Sequence, residues 1–251
     1  MAEMNADALA LMRAKGEARA VPAFQPDATV EVESWCRTGE NYYNGTGVSQ
    51  DYVEAARWFR MAAERNHAEA QYWVGVLYHG GQGVSKSGSE ASSWYRKAAE
   101  QGDAWGQYAL GECYHHGFGV QQDLTQAAEW FRAAADQGVA VAQDLLGTLY
   151  RNGEGVPEDT NKAAYWFQRA AEQDDLSAQR HLAACFQEGL GVKRDLVEAF
   201  KWLRTAAAED FLAERDLESL RPSLTKDQVA EAERRCREFR ASKHSDSPNK
   251  P

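Results

Sequence analysis

Apolar residues recur along this chain with a helical period, and the whole pattern is itself repeated. In the stretch 140–152, Ala142, Leu146 and Tyr150 stand at i, i+4 and i+8, on one face of a helix. Gly147 sits beside that stripe, where a missing side chain lets a partner helix come close. A second segment, 159–173, reads as another helix and carries the small pair Ala170-Ala171 near its end. The pair returns at 62/63, 98/99, 134/135 and 206/207, and Trp58, Trp94, Trp130, Trp166 and Trp202 follow one another at intervals of 36 residues. A fixed period of this length, with two helices in each unit, predicts an α-solenoid of five helix-turn-helix repeats in which each unit packs against its neighbours.

The turn inside each unit is Gly-x-Gly-Val: Gly45 and Gly47, Gly81 and Gly83, Gly117 and Gly119, Gly153 and Gly155, Gly189 and Gly191. Glycine there takes the positive φ that ends one helix and turns the chain. The second helix then opens on an N-cap, Asp51, Ser87, Asp123, Asp159 or Asp195. Glu54, Glu90, Gln126 and Glu198 stand three residues further on and complete a capping-box pattern, which Lys162 breaks in the fourth repeat. A phosphate-binding reading of these loops fails, because no Gly-Lys-Ser/Thr follows them and no strand pattern precedes them.

The succession Ala-x-x-x-Leu-Gly-x-x-Tyr, Gly-x-Gly-Val, Asp-x-x-x-Ala-x-x-Trp and Ala-Ala resembles Sel1-like repeats, relatives of the tetratricopeptide repeats. It covers about residues 34–210. Departures are mild: Ala183 and Phe186 replace the first-helix glycine and tyrosine of repeat five, Val74 and Gly106 stand for a leucine and an alanine, and repeat one has Ser34 and Thr38. The resemblance implies an all-α, right-handed α/α superhelix acting as an adaptor or scaffold. On that reading it is expected to hold a protein or peptide in its concave groove without enzymatic activity. Two other roles are carried beside it: an inhibitor or immunity protein that blocks one partner enzyme, and a hydrolase acting on cell-wall or β-lactam compounds. No Ser/His/Asp or Cys/His set can be assembled from the sequence for the last.

The organisation expected is an N-terminal extension at 1–30, five repeats at 31–211, a C-terminal capping region at 212–241 and a polar tail at 242–251 that is disordered. Within the extension, 7–20 can form a helix, which would serve as a cap, a docking segment or a tail. In the capping region Thr225 and Gln228 open an amphipathic helix running to about Arg240.

A net charge of -10 argues against nucleic acid or an anionic membrane as partner. The acidic N-terminus does not read as a secretory signal and no stretch is apolar enough to span a bilayer. Cys36, Cys113, Cys185 and Cys236 lack metal or redox spacing, and Cys113 and Cys185 fall two repeats apart, too far to bridge. A reducing, cytoplasmic setting is expected, with no cofactor.

In tetratricopeptide repeats the first helices line the concave surface, so first-helix positions that differ between repeats are the ones free to carry specificity. One such column holds Tyr72, Tyr108, Asp144 and Arg180, the next Glu40, Val76, Glu112, Thr148 and Ala184, and a third Tyr43, His79, His115, Arg151 and Gln187. From these columns, with Trp105 just ahead of them, the candidate groove residues are Tyr43, Tyr72, His79, Trp105, Tyr108, Glu112, His115, Arg151 and Arg180. Tyrosine and tryptophan supply interface energy at small entropic cost, and the arginines can pair with carboxylates. Glu112 and His116 are one helical turn apart but lack a second ligand pair, so no metal site is expected. Asp174 and Asp175 read as solvated charges in an inter-repeat turn.

Overall fold

The computed structural model describes residues 28–245, where the sequence period becomes a stack of antiparallel helix pairs. Repeat one is α1 (Ala28–Asn44) and α2 (Tyr52–Ala63); repeat two is α3 (Ala68–Gly80) and α4 (Gly88–Glu100). Repeat three is α5 (Ala104–His116) and α6 (Leu124–Asp136); repeat four is α7 (Ala140–Asn152) and α8 (Thr160–Ala171); repeat five is α9 (Leu176–Glu188) and α10 (Leu196–Ala206). Then come α11 (Phe211–Leu220), a short 3₁₀ turn and α12 (Lys226–Ser245). Through α11 each helix packs chiefly on its chain neighbours, and α12 packs back onto α10; no strand occurs among the described residues. The helix expected at 7–20 lies outside the described residues, as does the end of the tail from 246 on.

The buried column of the second helices is the residue after each periodic tryptophan: Phe59, Tyr95, Phe131, Phe167 and Leu203. The first-helix glycine faces that ring. A Cβ on Gly147 would lie 2.7 Å from the Phe167 ring, and Gly39, Gly75 and Gly111 meet Phe59, Tyr95 and Phe131 in the same way. Repeat five changes both members together, with Ala183 against a column that has become Leu203, and both are buried. The smaller partner makes room for the methyl group.

The two glycines of the turn do different work. Gly153, at φ +68°, is the left-handed C-cap of α7, and its N–H donates to the Leu149 carbonyl. Gly155 also has positive φ, but a Cβ there would lie 2.1 Å from the carbonyl oxygen of Leu124, at the start of α6 in the preceding repeat. In repeats two to five the second glycine, Gly83, Gly119, Gly155 or Gly191, therefore seats the turn on the repeat before it.

The N-caps form as expected, with Asp51, Ser87, Asp123, Asp159 and Asp195 each accepting a backbone N–H of the first turn. The expected capping boxes do not close. The backbone N–H of each cap residue is already donated to the carbonyl of Tyr42, Tyr78, Tyr114, Tyr150 or Phe186 in the preceding helix. Lys162 therefore loses nothing by breaking the pattern. A reciprocal box does form at Thr225 and Gln228, at 2.9 and 3.2 Å.

Two sets of polar bonds tie the repeats together. Arg60 donates to the Tyr78 hydroxyl and Arg96 to that of Tyr114, each at 2.6 Å, and Arg132 does the same to Tyr150. At the fourth joint the pair is Gln168 and Phe186, so arginine and hydroxyl are lost together. Buried Gln71, Gln107, Gln143 and Gln179 donate to the carbonyls of Ala63, Ala99, Ala135 and Ala171. Their side-chain oxygens accept in turn from Gln101, Gln137 and Gln173 at 2.7–2.8 Å. The next position in that register is Glu209, a carboxylate with no N–H to give, and the Gln179 oxygen is left buried without a partner.

The C-terminal helix covers the last repeat. Ala232 and Cys236 of α12 are buried, Phe239 packs on Trp202 at 5.1 Å, and Arg235 donates to Glu198 at 2.6 Å. The helix runs to Ser245 instead of ending near Arg240, so the first residues of the expected tail are helical.

Candidate partner-binding groove

The first helices α3 and α5 place Tyr72 and Tyr108 one repeat apart, in the same column. Between them and the turn of repeat three is an open cavity of about 330 Å³, lined by Tyr72, His79, Tyr95, Tyr108, Glu112 and Phe118, with Ala109, Cys113 and His116 completing the wall. The rings of Tyr72 and Tyr95 are 5.9 Å apart, and His79 lies 4.4 Å from Phe118. Trp105 stands edge-on to Tyr108 at the rim and is 51% exposed, an unusual position for so large an apolar ring.

Four of the nine expected groove residues thus share one cavity, with Trp105 beside it. Two of its aromatic walls were not foreseen. Tyr95 stands in the otherwise buried second-helix column, and Phe118 is the variable residue of Gly-x-Gly.

The other four lie elsewhere. Tyr43 packs between Tyr52 and Trp73, its hydroxyl donating to Gln82 at 3.3 Å. His115 rests against His116 and the Phe131 ring, and the Arg151 guanidinium is 5.5 Å from the Phe167 ring centre. Arg180 was expected to face a partner's carboxylates, but it is held by the protein's own: its Nε lies 3.6 Å from both Asp210 and Asp216. Asp144, in the same column, is buried and bonds to His181 at 2.7 Å.

Burial, then Glu112, pushes the Tyr108 hydroxyl up to about 12, and burial, then Asp103, raises that of Tyr72. The Glu69 carboxyl is raised by loss of water and then by Glu40. Asp103 is raised by burial against the opposing pull of the Gly106 N–H. Asp175 is no solvated turn charge: it caps α9 by accepting from Ala178 at 2.8 Å, and burial raises its carboxyl, whereas Asp174 is exposed.

Glu112 and His116 gain a third neighbour that spacing alone did not supply. His115 Nδ1 is 3.4 Å from His116 Nε2, which is 3.8 Å from Glu112 Oε2, a set able to hold a divalent cation. Cys36, His67 and Glu69 also converge, but burial pushes the Cys36 thiol far up, which makes it a poor thiolate ligand. All four cysteines are free and buried.

The Sel1 repeat family matches this chain in five successive units, at residues 36–67, 68–103, 106–139, 140–175 and 176–211. A Sel1 repeat protein from Oxalobacter formigenes has a solved structure similar to this one, with 34% identity and a TM-score of 0.67, over 81% of this chain and 84% of that one. A Sel1 repeat protein from Klebsiella pneumoniae shares the fold at 22% identity and a TM-score of 0.50, over 76% of this chain and 93% of its own. The immunity protein Pa5087 from Pseudomonas aeruginosa is more distant, at 20% identity and a TM-score of 0.46, over 73% of this chain and 66% of its own. No curated protein is significantly similar to this chain in sequence.

Proposed function

The chain belongs to the Sel1 repeat family, and on that premise we propose that it is a non-enzymatic scaffold that holds a segment of a partner protein against the concave face of repeats two and three. The observation that carries this reading is the open aromatic cavity walled by Tyr72, Tyr95, Tyr108 and Phe118, with Trp105 half exposed at its rim. Large rings left uncovered next to a pocket are the anchors from which protein interfaces draw most of their energy. Burial holds the Cys113 and Cys185 thiols above their ordinary range, Cys113 at about 12 and Cys185 at about 11, which favours a structural over a nucleophilic role for these cysteines. Four buried free cysteines favour a reducing compartment, and we place the protein in the cytoplasm. No helix among the described residues is long and apolar enough to cross a membrane.

The test is affinity capture from the native cell extract with the wild-type chain and with a Trp105→Ala, Tyr108→Ala variant, read by quantitative mass spectrometry. A protein lost from the variant while helix content and melting are retained is the expected result. Equal capture by both chains would move the binding surface elsewhere, and loss of cooperative melting would make the rings packing residues.

A further inference from the structure

We propose that the cavity between repeats two and three is a cation pocket, which receives an arginine or lysine side chain from the docking segment of the partner. This rests on the scaffold reading above and names the chemistry of its central contact.

Three observations converge on a cation. The walls Tyr72, Tyr95, Tyr108 and Phe118 turn aromatic surface into one open cavity, and such surface attracts a guanidinium or ammonium through its electron-rich faces. The polar group in the same wall with a full negative charge is Glu112, half-buried, placed to complete a charge-assisted bond to whatever the rings enclose. Carboxylates of repeats one to three stand without a strong cation: Glu69, raised first by burial, lies in the field of Glu40, Asp103 accepts from the N–H of Gly106, and Glu112 has the side chain of His116 beside it. Among the described residues no lysine or arginine forms an ion pair with any of these four carboxylates. Lys86 has its Nζ 5.9 Å from the Phe118 ring centre, so a side chain of the chain itself already uses the same attraction at that ring.

The comparison with the far end of the solenoid strengthens the point. There the carboxylates Asp144, Glu198, Asp210 and Asp216 have His181, Arg235 and Arg180 as partners. Arginines of the chain take Glu198, Asp210 and Asp216, whereas Glu112 of repeat three has a histidine beside it and no arginine or lysine.

The experiment uses the full chain with EDTA present, so that no metal occupies Glu112, His115 and His116. N-acetyl-arginine methylamide and its neutral isostere N-acetyl-citrulline methylamide are titrated in, and the tyrosine ring resonances are followed by NMR. The arginine compound shifts Tyr72 and Tyr108 saturably and binds about tenfold more weakly to Glu112→Gln. The citrulline compound gives no saturable shift. Equal shifts from both compounds, or an unchanged affinity in Glu112→Gln, would overturn the proposal. If neither compound binds while capture of a partner still depends on Trp105 and Tyr108, the cation pocket fails and the scaffold stands. If the arginine compound binds as expected while capture ignores those rings, the scaffold reading fails and the pocket is a site for a small cation.

Discussion

Repeats two and three and repeats four and five share one frame and treat their first-helix columns in opposite ways. In the first pair, the variable residue of Gly-x-Gly and the columns of the first helices hold rings and one carboxylate around an open cavity. In the second pair the column of Tyr72 and Tyr108 is closed from within: Asp144 bonds to His181, and Arg180 is held by Asp210 and Asp216. The difference is one of partner supply. The variable columns of a repeat protein become structural where the next repeat or the cap offers the complementary group, and remain available for binding where it does not.

The frame common to both pairs is the largest quantity to test. Gly155→Ala should cost more than about 3 kcal/mol, because its Cβ meets a backbone carbonyl in addition to the strain of positive φ. Gly153→Ala, at nearly the same φ but with its nearest neighbours at 3.4 Å, should cost about 1 kcal/mol. Urea unfolding of the two variants decides it; equal losses would mean that the seat on the preceding repeat contributes nothing.

A smaller effect separates the two regions directly. Asp144→Ala removes a buried acceptor and leaves His181 without its bond, for a loss of about 2 kcal/mol, whereas Glu112→Ala should change stability by less than about 0.5 kcal/mol. Thermal melts that rank these the other way would break the distinction between a closed and an open column. The smallest change is a gain. Glu209→Gln would give the stranded Gln179 oxygen the donor that Gln101, Gln137 and Gln173 provide elsewhere, stabilising the chain by about 1 kcal/mol. No gain in the urea midpoint would show that water already serves that oxygen.

Much of this was legible before any coordinates, and the reason is physical. Within the repeats, the turn between the two helices follows from local chemistry that recurs at one period, so glycine C-caps, second-helix N-caps and the alanine pairs could be placed residue by residue. The columns also led to Tyr72, His79, Tyr108 and Glu112, because a helix converts spacing into a shared face. What failed were the claims that depend on a partner distant in sequence. The capping boxes stay open because a carbonyl of the preceding helix reaches the cap N–H first. Arg180 is taken by Asp210, the N-cap of α11, and by Asp216 within that helix, whose position the periodic pattern no longer governs. Tyr95 was hidden in a column that is otherwise core, and the glutamine ladder passed unnoticed because glutamine on a helix face looks like surface.

The paired exchange at the last joint bears on how such an array can be rearranged. Each repeat carries half of the latch to its successor: arginine at the end that Tyr78, Tyr114 and Tyr150 answer, glutamine at the end that meets Phe186. Transplanting repeat five behind repeat two or three would set an arginine against a phenylalanine, and moving repeat four forward would leave a tyrosine hydroxyl facing a glutamine. The units look interchangeable in outline, yet their mating surfaces prescribe an order, so shuffling or duplicating them at will would produce mismatched seams where the native sequence has none.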